Sequence, residues 1–432
     1  MSDETFLARL RNSPGAGKLT TIRFAGQFGD GLFQAALSGA ILFNPERESN
    51  PAAIAAGFAV LLVPYSVIGP FAGAMLDRWD RRAVVLWANV VRVVLIVATS
   101  AVLWTGGGET PLLLLALSTV GLSRFVMAGA SASLPHVIRT EWLVPMNSLL
   151  ATIGSGFAAA GAGAAVAVIG VVGAGDVGSG VAVAVSASGS VVGTIAAARF
   201  ARGSLGPATL MERDDRGALE ALADIAAGLK SGAVAVWKSP TVTAAMAGIG
   251  AHRIVFGIDT LVMVLILRET TSSSLPGGLA GFGIALGATA VGMLVAAVLT
   301  PFLLPRLGRV RSIVGALALA AVVQVTFIAA LTQTSLLIGA FLLGAAGQTI
   351  KLTGDASMQT DIDDDHRGRV FALQDTVFNI FFVGALAAAA FAVGPTTSNL
   401  AGDASAHVVV FAGGLVYVLG LVVVSLSARR AR

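Results

Sequence analysis

The chain has 432 residues, of which 56% are hydrophobic and 12% charged, with a mean hydropathy of +0.84. A soluble domain carries about a quarter charged residues, so this composition excludes a soluble globular protein and indicates a polytopic membrane protein. Cysteine is absent, which excludes disulfides and thiolate metal sites. The net charge of +4 reads as membrane topology, not nucleic-acid binding.

The opening segment MSDETFLARLRNSPGAGK is polar and lacks the layout of a cleavable signal, so the first span is expected to serve as the insertion signal. A span needs roughly 20 apolar residues to cross about 30 Å of hydrocarbon. Twelve stretches qualify: 19–43, 53–76, 83–104, 111–135, 146–172, 177–200, 241–267, 279–304, 312–332, 335–359, 370–393 and 405–427. All are expected to be helices, because lipid offers no partner to an unpaired backbone group. The Gly and Ala excess, as in GSGFAAAGAGAA (154–165), suits close helix approach.

The first span carries Gln27, Asp30 and Gln34 at i, i+3, i+7, a polar stripe facing a cavity or a neighbouring helix. An ionisable residue inside a span costs several kcal/mol and marks function by default, and a carboxylate between amides suits reversible protonation. Arg92 in span three either pairs with Asp30 or packs the first half. Arg124 is central in span four. In span seven, His252 and Arg253 are central and Asp259 lies one face-repeat beyond His252, a second proton-exchanging residue type. In span ten, Gln348, Lys351 and Asp355 share a face, with Lys351 and Asp355 at ion-pair spacing.

Between spans two and three, GAMLDRWDRRAVV (73–85) interrupts apolar sequence with five charges in six positions. Apart from Arg47, Arg268 and the four intramembrane cations, Lys and Arg fall in links or at span ends on one side. That asymmetry places both termini in the cytoplasm of a cell (inner or plasma) membrane. The longest link, 201–240, divides the chain into halves 1–200 and 241–432. Within it Leu219, Leu222, Ile225, Leu229, Ala233 and Val236 recur at helical spacing, an amphipathic helix expected on the inner membrane face. PRLGRVRS (305–312) is a short basic link at the equivalent place in the second half, the trace of an internal repeat.

These features resemble the major facilitator superfamily. Its signature between spans two and three runs Gly-x-x-x-Asp-Arg-x-x-Arg-Arg/Lys, matched by Gly73, Asp77, Arg78, Arg81 and Arg82, with Asp80 where a Gly is usual. The second-half copy keeps Arg306, Gly308 and Arg309 but has Pro305 in place of the acid. GQFGDGLFQAAL, NVVRVVL, SRFVMAGASASLPHVI, LVPMNSL and MQTDIDDDHRGRVFALQD are similar to the branch containing enterobactin exporters and macrolide-type efflux proteins. The glycines at 154–165 match the span-five antiporter pattern without its Pro.

The resemblance implies an all-α membrane protein of two six-helix halves, with spans one, four, seven and ten around a central cavity. Asp30, with His252 second, would then couple protons. Gln27, Gln34, Arg124, Arg253, Asp259, Gln348, Lys351 and Asp355 would line the substrate cavity. Gly73, Asp77, Arg78, Arg81 and Arg82 would form a conformational latch, Asp77 facing the start of span eleven and the arginines meeting acids such as those of DIDDDHRGR (361–369). The expected activity is export of amphiphilic small molecules, drug-like or siderophore-like, by a monomer, with import or flipping of a lipid or metabolite on the same fold as the rival and a non-transporting receptor or scaffold as the alternative of another class. No metal, nucleotide, nucleic-acid or enzymatic site is expected, and the proton gradient supplies the energy in place of a cofactor.

Overall fold

The computed structural model describes residues 15–44, 51–76, 79–138, 143–206, 218–269, 275–394 and 404–429. Among them no strand occurs. Twelve long helices follow the expected spans: α1 (Ala16–Leu42), α2 (Pro51–Leu76), α3 (Arg81–Trp104), α4 (Glu109–Ala132), α5 (Leu143–Val172), α6 (Asp176–Ala198), α7 (Pro240–Glu269), α8 (Gly278–Leu307), α9 (Arg309–Thr326), α10 (Gln333–Asp361), α11 (Asp364–Val393) and α12 (Ala404–Arg429). A linker helix, Ala218–Lys238, separates α6 from α7. Ten of these helices are long and apolar enough to cross a membrane among the described residues. Helix α1 is not one of them despite its 27 residues, because Lys18, Arg23, Gln27, Asp30 and Gln34 dilute its apolar side chains.

Contacts divide the chain into two compact units, Met1–Arg47 with Val60–Ala221 and Glu48–Ala59 with Leu222–Arg432. In the first unit, α1 lies against α5 and α6, and α3 lies between α4 and α6. Small residues permit this. A side chain at Gly31 would run into the Ala158 carbonyl of α5, one at Gly161 into the Phe28 carbonyl of α1, and Gly29 faces Gly189 of α6. Lipid supplies no hydrophobic drive between helices, so close van der Waals approach of this kind holds the bundle. The other face of α3, with Trp87, Val94, Val97 and Trp104 more than half exposed, is left apolar toward lipid. In the second unit, α7 is the most enclosed helix, packed by α10, α11 and α12. Gly257 abuts the Phe382 carbonyl of α11, while Gly292 of α8 and Gly344 of α10 lie against each other's helix.

Two expected links are shorter than their charge suggested. PRLGRVRS is not a loop: α8 continues through Pro305 to Leu307, Gly308 alone breaks it at φ 76°, and α9 begins at Arg309. Most of DIDDDHRGR is helical too, with only Ile362 and Asp363 between α10 and α11. The linker helix forms as expected, but Ala233 on its expected apolar face is exposed while Gly232 packs on the Arg369 backbone. It runs to within one residue of α7, where Ser239 accepts from the Val242 N–H and Pro240 opens the helix, a start signal written in the sequence.

Candidate functional site

The structure places a buried carboxylate in each unit. In the first, α1 is held close to α5 and α6 by the glycines flanking Asp30, and Asp30 is directed to α3 and α4. Arg92 of α3 donates to one carboxylate oxygen and Ser123 of α4 to the other. Arg124 of α4 lies 3.7 Å from the second oxygen. The Arg92 side chain is 2% exposed and that of Asp30 10%. Asp30 is therefore not the lone carboxylate that the amide stripe suggested, and the open choice for Arg92 resolves to pairing. Gln27 instead lies against Gly154 of α5, and Gln34 is part-buried, its backbone carbonyl accepting from the Ser38 hydroxyl. Neither amide is hydrogen-bonded to Asp30 among the described residues.

In the second unit the corresponding pair joins α7 and α9. Gln324 donates to Asp259 at 2.8 Å and to the Val410 carbonyl of α12 at 3.3 Å. The other Asp259 oxygen and the Gln324 carbonyl oxygen are buried without a hydrogen-bond partner. Gly413 makes room for the amide. His252 is buried, its Nδ1 3.0 Å from the Tyr417 hydroxyl of α12 and its Nε2 against Gly347 of α10. The Arg253 guanidinium sits 3.1 Å from the centre of the Phe378 ring of α11 and 5.3 Å from that of Phe256.

On α10, Lys351 pairs with Asp355 at 2.6 Å, as their spacing predicts, and Gln374 of α11 donates to the other Asp355 oxygen at 2.9 Å. Gln348 is part-buried and shares no described bond with them. Ser123, Gln324, Gln374, Phe378 and Tyr417 were missed by the sequence reading. Gln324 left a visible trace: it stands in the apolar run of the third span of its half, as Arg92 does in the first half.

Among the described residues, the charged link reaches helix ends of its own unit. Gly73 lies in α2, and Asp77 and Arg78 fall outside the described residues. Arg81 donates to the Ala132 carbonyl at the end of α4 (2.7 Å), and Arg82 to the Ala198 carbonyl at the end of α6 (3.3 Å). Lys18 reaches the Arg199 carbonyl at 3.0 Å. These described bonds run to helix C-termini of the same unit, where exposed carbonyls and the helix dipole favour cations. Asp80 accepts from the Arg82 N–H and caps α3, which explains an acid at a usual Gly position. Asp361, expected to meet the first-half arginines, is bonded by Arg309 of its own unit at 2.8 and 3.0 Å.

The family model of the Major Facilitator Superfamily matches residues 23–385. The chain belongs to this superfamily. It is 42% identical over 423 residues to the uncharacterized MFS-type transporter Rv0037c of Mycobacterium tuberculosis (strain ATCC 25618 / H37Rv), covering 98% of this chain and 93% of the relative. The same figures hold for the uncharacterized MFS-type transporter Mb0038c of Mycobacterium bovis (strain ATCC BAA-935 / AF2122/97). Among solved structures, a POT family transporter in complex with 5-aminolevulinic acid superposes with a TM-score of 0.69 at 12% identity, covering 100% of this chain and 99% of that one. The nucleoside transporter NupG gives 0.67 at 13% identity, covering 95% and 98%. At these identities the likeness concerns the fold. The protein is thus a multi-pass membrane transporter of two six-helix halves.

Proposed function

We propose that this transporter exports amphiphilic small molecules in exchange for protons, by alternating access, as a monomer of the cell membrane with both termini cytoplasmic. One observation carries the proton coupling: Asp259 is a buried carboxylate whose direct partner is an amide. Protonating Asp30 would strand Arg92 in the interior without its counter-charge. Protonating Asp259 strands no ion. The coupling role expected of Asp30 therefore passes to Asp259, and Asp30 becomes the ion-paired pivot of the first half. Among the described residues, His252 and Arg253 share the helix of Asp259, and the Tyr417 hydroxyl of α12 lies 3.0 Å from His252 Nδ1.

Export rests on the resemblance to the efflux branch. Apolar walls such as the cavity of about 370 Å³ lined by Phe24, Phe28, Phe157 and Val192 suit the apolar part of a cargo. Import is the second reading, favoured by the glycine run of α5 at 154–165, which lacks the proline of the antiporter pattern. The test uses proteoliposomes of known orientation carrying a pH-sensitive dye and a panel of amphiphiles. Proton movement opposite to cargo supports exchange; proton and cargo moving together supports import. Cargo flux that ignores an imposed pH gradient rules out coupling.

A further inference from the structure

The four intramembrane cations are not equivalent. Arg92 and Arg124 share Asp30, and Lys351 is neutralised by Asp355. Arg253 is different. Among the described residues no carboxylate lies within ion-pair distance of it, and none of its N–H groups donates a hydrogen bond. It is held instead by the faces of Phe378 and Phe256. It also stays part-exposed on a helix that is otherwise largely enclosed.

A guanidinium stacked on a ring is fixed in orientation by its face, while its donors point outward in the plane. That plane matches the two oxygens of an oxyanion, which it can bind with two parallel charge-assisted bonds. A cation inside a membrane span normally pairs or faces a ligand path, and a residue positioned by rings but hydrogen-bonded to nothing is preorganised for the second. In the Lys351–Asp355–Gln374 cluster the cation already has its counter-ion: Lys351 donates to one Asp355 oxygen and Gln374 to the other.

We propose that Arg253 is the recognition point for the oxyanion of an amphiphilic ligand (a carboxylate, sulfonate or phosphate), with Phe256 and Phe378 as positioning residues. This narrows the cargo of the transporter proposed above to organic anions and rests on that reading for the word cargo, but not on its direction or coupling. The acid can come from a free amphiphile or from a lipid phosphate.

The test measures equilibrium binding by calorimetry to the full chain in phosphatidylcholine nanodiscs. The probes share one apolar body and differ in charge: naphthylacetate, naphthylacetamide and naphthylethylamine. The carboxylate should bind more than tenfold tighter than the amide. Arg253→Gln should remove that preference and leave amide binding unchanged. Arg253→Lys should lose most of it, since an ammonium lacks the planar fork. Repeating the titration with phosphatidylglycerol in the disc separates the sources: competition seen in the wild type but not in Arg253→Gln assigns the oxyanion to lipid, and no competition assigns it to the free amphiphile. A wild type that binds the carboxylate no tighter than the amide overturns the proposal. So does an Arg253→Gln chain that weakens all three probes equally. Binding requires no flux, so an intact anion preference without transport would sink the transport reading alone.

Discussion

Asp30 and Asp259 sit on matching helices, the first of each half, and each reaches the third helix of its own half. One meets the guanidinium of Arg92 and the other the amide of Gln324. The architecture is repeated and the electrostatics are not. Within the first half, charge meets charge, and Asp30 ties α1 to α3 and α4. In the second, a single amide bridges α7, α9 and α12 and leaves one carboxylate oxygen without a partner. In the exchange proposed above, the first joint keeps its half intact through the cycle and the second changes charge without dismantling its half.

The largest effect should come from breaking the first pair. Asp30→Asn leaves Arg92 buried and uncompensated, a loss of about 3–5 kcal/mol. Thermal unfolding in detergent should show a marked drop, partly restored in Asp30→Asn with Arg92→Gln. If Asp30→Asn unfolds like the wild type, the pair is not structural and the contrast between the halves collapses.

Next comes the packing that aims Asp30. Gly31→Ala forces a methyl group against the Ala158 carbonyl, for which overpacking costs of about 1–3 kcal/mol are usual. The same unfolding assay checks it, and Gly26→Ala, with nothing within contact range of the added atom, is the control.

Asp259→Asn sharpens the comparison from the other side. Folded yield and unfolding temperature should stay near wild type, while pH-driven flux in proteoliposomes falls at least tenfold, equivalent to about 1.4 kcal/mol on the barrier. Undiminished pH-driven flux at equal protein level would return the coupling role to the first half. The smallest effect belongs to the charged link, where Asp80→Ala removes the cap of α3 at a cost of about 1 kcal/mol, read as a slight loss of stability without a change in flux.

What the sequence determined by itself was whatever depends on local composition. Apolar length placed the helices to within a few residues at most ends, since a span is dictated by hydrocarbon thickness. Spacing along one helix predicted the Lys351–Asp355 pair, because i and i+4 meet wherever the helix goes. The cap signals at Asp80, Ser239 and Pro240 went unused in placing spans expected to begin at 83 and 241. The joints were harder: in PRLGRVRS and DIDDDHRGR the charges suggested loops, and helix propagation ran through all but one or two residues. What only the tertiary structure decided was which helix each polar side chain meets. Asp30 reads the same in sequence whether it stands alone or against Arg92, 62 residues away, and Asp259 likewise with Gln324, 65 residues away. Arg253 became distinctive only when Phe378, from a helix four spans later, was seen across its face. The reason is physical: a span's existence is settled by its own transfer from water to lipid, whereas the partner of a buried charge is settled by close packing at glycines such as Gly29, Gly31 and Gly413, which no single helix specifies.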